Sequence, residues 1–177
     1  MITLPHTGIQ VPTGRIRVQS FKAVDVGSGV AWSAVLCNNS NKLGVIANEG
    51  RGGPTRLHSD DDKARTAADT FITWCRNQDG APMKRECVLE ALVDEYEISR
   101  ELASAERRNA YYVRYVNHVD LPGRLTFTLQ GSVPPDYEPA FTAAPHLDLP
   151  EQTVRAQLWM GDHGGWVEFL RTAHTPE

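Results

Sequence analysis

The sequence predicts an α+β fold: an antiparallel sheet in the order β-β-β-α-α-β-β, two helices on one of its faces, and a proline-rich C-terminal extension. Three observations predict it. Apolar and polar residues alternate with period two in three runs between Ile16 and Ala47, a helical period replaces that alternation after His58, and alternation returns at Tyr111. The chain has 177 residues, 41% of them apolar, which suits one domain with a real core and excludes wholesale disorder. On this reading residues 1–14 are an irregular N-terminal arm and residues 15–130 an α+β core domain. Residues 131–177 are a proline-rich loop with closing elements packed on the core.

The arm carries Pro5, Gly8, Pro12 and Gly14 with no sustained period. Ile16 and Val18 then alternate with Arg15, Arg17 and Gln19, and after Gly27 and Gly29 a second strand sets Val30, Trp32, Ala34 and Leu36 on one face. Asn38, Asn39 and Asn41 are turn chemistry, because Asn tolerates left-handed backbone angles, and Leu43, Val45 and Ala47 return as a third strand. Ser59, with Asp62 three residues on, predicts a helix N-terminus. Ala64, Ala67, Ala68, Phe71, Ile72 and Cys75 form its buried stripe. Gly80 suits a helix end and Pro82 the first turn of a second helix over 82–107. Tyr111, Val113 and Tyr115, then Leu125, Phe127 and Leu129, predict two half-buried strands, the tyrosines serving as core packing rather than as a base-stacking platform. Five prolines between Pro134 and Pro150 predict an extended loop without helix. Residues 154–160 and 166–170 are short closing elements, strand or helix.

Directly after the third strand stands Asn48-Glu49-Gly50-Arg51-Gly52-Gly53. Three glycines in four positions allow positive φ, so successive N–H groups can converge on an anion. The spacing matches neither nucleotide-binding glycine motif, and a tight chain connection is the plainer use of it. A strand, a polar turn, a second strand and this Asn-Glu-Gly-x-Gly-Gly run, with Leu92, Val93 and Asp94 in the acidic helix that follows, resemble a group of small proteins carried by bacteriophages and plasmids. The resemblance covers residues 30–107. The chain departs from the group at Asn41-Lys42, where a Gly-Lys pair is usual, and at Pro54, where a polar residue or Cys is common. It implies a mobile-element origin without implying a chemistry.

The second helix carries the other unusual pattern. At about 100° per residue Glu86, Glu90, Asp94, Glu97 and Glu101 fall on one side, with Val88, Leu89, Leu92 and Tyr96 on the other. Like charges four residues apart destabilise a helix by about 0.2–0.5 kcal/mol per pair. A solvated face is the plain reading. The sharper one is a docking surface that steers a basic partner.

The remaining patterns exclude more than they offer. No histidine or cysteine spacing suits a metal, so neither a metal nor a cofactor is expected, and Asp162-His163 reads as a polar turn. Cys37, Cys75 and Cys87 are expected as reduced thiols. A net charge of −4 gives no global positive field, so direct nucleic-acid binding is not expected. No apolar stretch approaches the ~20 residues that span a bilayer, and the first residues lack the layout of a secretory signal, so a cytoplasmic location is expected. The function expected is that of a non-enzymatic accessory protein of a phage or other mobile element. It would bind a host or defence protein through the acidic helix face, as an anti-CRISPR-like inhibitor does. The alternative is a small enzyme or anion-binding protein built on Asn48, Gly50, Arg51, Gly52, Gly53 and His58.

Overall fold

The alternating run that opens at Ile16 folds, in a computed structural model that describes residues 1–27 and 29–172, into a four-stranded antiparallel sheet. Two short strands precede it, β1 (Ile2–Thr3) and β2 (Gln10–Val11), paired with each other. The sheet then sets β3 (Ile16–Asp25), β4 (Val30–Asn38), β5 (Asn41–Asn48) and β6 (Arg56–His58) side by side in that order. Asn39, at φ 50°, supplies the left-handed residue of the tight β4–β5 turn, as its residue type predicts. The chain forms two compact units, Met1–Ser99 and the residues from Arg100 onward, and this sheet belongs to the first.

Helical period gives α1 (Asp62–Trp74) and α2 (Arg85–Arg107). Asp61, rather than Ser59, caps α1: its carboxylate accepts the Ala64 N–H at 2.8 Å, while the Ser59 hydroxyl donates to the Asp61 carbonyl. The stronger, charged acceptor takes the helix end. Ala68, Phe71 and Ile72 of α1 and Val88, Leu89, Leu92 and Val93 of α2 are buried with Ile16, Val18, Ala34, Leu36 and Ile46 of the sheet in one core. The two helices thus cover one sheet face, as predicted. α2 begins three residues after Pro82 because that residue is used otherwise, in a bridge with Arg76.

Residues 1–14 are not outside this core. Ile9 is 4% exposed and Val11 1%, and Gln10 and Arg76 exchange backbone hydrogen bonds of 2.8 and 2.9 Å. The glycines and prolines that break the sequence period turn the arm back onto the helices instead of releasing it.

In the second unit the two predicted strands, β7 (Tyr111–Asn117) and β8 (Pro122–Phe127), pair as an antiparallel hairpin. Residues 131–150 hold a helix after all, α3 (Glu138–Ala143), followed by a single 3-10 turn over Ala144–His146. Pro139 and Pro145 each occupy a first turn, where a missing N–H leaves no bond unmade, so these prolines start helical turns rather than forbid them. The two undecided segments are strands, β9 (Thr153–Trp159) and β10 (Trp166–Arg171), joined by the four-residue α4 (Gly161–Gly164), which contains Asp162 and His163. The sheet order is β10-β9-β7-β8, all antiparallel, and Tyr111, Val113, Ala156 and Leu158 pack with Ala140 and Ala144 in a second core. Residues 173–177, the end of the expected extension, lie outside the described residues.

All three cysteines are free thiols, Cys37 and Cys75 buried and Cys87 exposed. Burial pushes the Cys75 thiol up to about 11, against a smaller opposing pull from Arg76. In the native protein a thiol reagent near neutral pH is expected to modify Cys87 quickly and the other two only on unfolding, whereas denatured protein titrates for three. The buried arm gives a second expectation: Ile9→Ala lowers unfolding free energy by about 2–5 kcal/mol in denaturant melts, the range for a large aliphatic side chain removed from a core.

Candidate functional site

The carboxylates of α2 are best followed outward from Thr55, a polar residue only 4% exposed. Its N–H donates to Glu86 at 3.0 Å and its hydroxyl to Glu90 at 2.9 Å. The Asn48 side-chain amide donates to the Thr55 hydroxyl at 3.0 Å and to the Gly53 carbonyl at 3.3 Å, and its oxygen accepts the Gly50 N–H at 2.8 Å. The glycine segment and the first two acids of the helix, 31 or more residues apart in the chain, are therefore one hydrogen-bonded unit. Glu86 and Glu90 do not face open water as the plain reading of the acidic row has it.

Beyond this unit Glu90, Asp94 and Glu97 line, with Trp32, Asn48 and Val93, a cleft of about 240 Å³. Trp32 and Asn48 stand opposite each other on β4 and β5, on the sheet face that meets the helices. The cleft thus has three carboxylates, an indole and an amide on its walls. Among the described residues no group of three or more His, Cys, Asp or Glu is placed to hold a metal ion.

Glu101 serves elsewhere. In the second unit it accepts the Tyr112 hydroxyl and, at 3.0 Å, the Arg124 guanidinium. Burial first, and the Glu101 hydrogen bond second, hold the Tyr112 hydroxyl protonated well above the ordinary phenol range. Nearby, burial and then Glu106 push Tyr137 up to about 12. Tyr111 and Tyr112 are 1% and 3% exposed, so these rings are core side chains. The Arg114 guanidinium lies 4.1 Å from the centre of the Trp166 ring, an internal cation–π contact.

The glycine segment does not gather the other residues of the alternative reading. Arg51 is exposed, and His58 stands on β6 opposite Val45. Val45 and Asn48 are three apart on one strand, so His58 and Asn48 take opposite faces of the sheet. Two features escape the sequence. Glu95 accepts the N–H groups of His6 at 3.1 Å and Thr7 at 2.8 Å, together with the Thr7 hydroxyl at 3.0 Å, and so clamps the arm to α2. A second cleft of about 620 Å³, mostly apolar, runs beside β3 between Leu4, Ile16, Val18, Leu92 and Tyr96. Neither has a local sequence signal, since both arise where distant segments meet.

Set against models of known protein families, curated proteins and solved structures, the chain matches none.

Gly50 and Gly52 both have positive φ, at 70° and 75°, but in different surroundings. A Cβ on Gly50 would lie 2.5 Å from the Val30 carbonyl carbon and 2.6 Å from the Ala31 nitrogen, whereas one on Gly52 meets nothing within 4 Å. Gly52→Ala is expected to cost only the left-handed strain, ~1–2 kcal/mol. Gly50→Ala is expected to cost clearly more, because backbone must move; the pair is compared by denaturant titration.

Proposed function

We propose that this chain is a non-enzymatic binding protein of a phage or related mobile element. It receives a basic side chain of a host or defence protein in the cleft of Glu90, Asp94 and Glu97, and so inhibits that protein in the host cytoplasm. The observation that supports it most is the composition of that cleft, three carboxylates beside an indole. A guanidinium or ammonium group fits it chemically. Carboxylates supply charge-assisted acceptors, and an indole face adds about 0.5–1 kcal/mol to a cation at an exposed site. The mobile-element origin rests on the resemblance carried by residues 48–53 and 92–94. No helix among the described residues is long and apolar enough to cross a membrane.

The test substitutions are placed at Asp94 and Glu97, because Glu90 also bonds the buried Thr55 and its loss would disturb the fold. Titration of the protein with an arginine-rich peptide, followed by tryptophan emission, tests the reading. The signal is expected to disappear in Trp32→Phe. Asp94→Asn with Glu97→Gln is expected to weaken binding by about tenfold, mainly in the association rate, and added salt to do the same. Binding that ignores both salt and these two substitutions returns the helix to a solvated face.

A further inference from the structure

The opposite side of the same sheet carries a different charge. Strand register sets Arg17 opposite Cys37 and Cys37 opposite Lys42, and farther along it sets Lys22 opposite Ser33, Ser33 opposite Ala47 and Ala47 opposite Arg56. Residues directly opposite each other project to one side of a sheet, so these two rows share a face. The buried Val18, Leu36 and Ile46 take the other face, toward the helices. Arg17, Lys22, Lys42 and Arg56 are all exposed. Between the rows lie Val35 and Val45, with His58 at the edge; no residue paired across this face is Asp or Glu, and the exposed Glu49 follows just past the end of β5. A chain with net charge −4 therefore presents one sheet face whose paired charged residues are all positive.

We propose that this face binds the phosphate backbone of duplex nucleic acid. Four residues along β4 separate the two rows, which places them about 14 Å apart at the usual strand rise. That matches the ~12 Å between the backbones flanking a major groove, so one row can lie along each strand. Apart from His58 at its edge the face presents no aromatic side chain, so it lacks a platform on which successive unpaired bases could stack, which favours the duplex over a single strand. A second copy meeting face to face would set cation against cation. Contact is with phosphates alone, so recognition is independent of sequence. The negative overall charge that argued against nucleic acid is an average over the surface, and a phosphate lying on this face meets the local charge within a Debye length of ~8–10 Å.

The test is anisotropy titration of a labelled DNA duplex of about 20 base pairs with the full chain, at several salt concentrations. Four phosphate contacts give a slope of log K against log salt of about −3.6, a weakening of roughly 150-fold between 50 and 200 mM. Lys22→Gln with Arg56→Gln, both exposed, is expected to halve the slope to about −1.8, while Lys22→Arg with Arg56→Lys restores it. Circular dichroism confirms that each variant is folded. Three results each overturn the proposal: no duplex binding at ~50 mM salt, an unchanged slope in the Gln variant, or a single strand of equal length binding as tightly. Salt-sensitive self-association lost in the Gln variant, without duplex binding, overturns it in favour of a second copy.

Discussion

Thr55 is the point through which the first unit holds together, because its amide and its hydroxyl are both bonded by carboxylates of α2 while the Asn48 side chain bonds it from the sheet. Hydrogen bonds to charged groups contribute about 1.5–3 kcal/mol each, and a buried donor left without its partner costs a comparable amount. The arrangement explains a row of acids that an isolated helix would disfavour. Repulsion between Glu86 and Glu90 amounts to a few tenths of a kcal/mol, and either bond to Thr55 exceeds it. It also explains the glycines, since the chain must leave β5 and reach Thr55 within a few residues, and Gly50 passes so close to Val30 and Ala31 that no side chain fits.

The same device recurs along α2. Glu95 gathers the amides of His6 and Thr7, and Glu101 the hydroxyl of Tyr112 with the guanidinium of Arg124. Each carboxylate meets donors from a segment far away in the chain, and backbone N–H groups of irregular segments are among those most in need of acceptors. The helix is thus a row of acceptors on which loops and strands are fastened. A pattern that reads as surface charge in one dimension is mostly internal wiring, and Glu90, Asp94 and Glu97 also line a cleft.

Charge in the first unit is sorted by strand parity. Residues two apart on β3, β4 and β5 project to the same side, so the positive side chains collect on the outer face while the acids of α2 lie behind the inner one. Bulges at Gln19 of β3 and Leu43 of β5 bring this about: each inserts a residue, so that Lys22 shares a face with Arg17, and Lys42 with Val45, despite odd spacings.

Local pattern was enough for the antiparallel α+β class, the long strands of the first sheet and their Asn-rich turn, the stripe of α1 and the existence of β7 and β8, because periodicity and turn chemistry are properties of neighbouring residues. It also singled out Asn48, Gly50, Glu86 and Glu90. What it lacked was contact between distant segments. That Pro139 and Pro145 begin helical turns depends on where the chain can bury Ala140 and Ala144, and that the arm belongs to the core depends on Arg76 and Glu95 waiting for it. The roles of the acids, and the face on which each arginine and lysine of the sheet emerges, were decided only by tertiary structure, since a carboxylate's meaning lies in the donor it meets and a strand residue's side in the register and bulges of its partners.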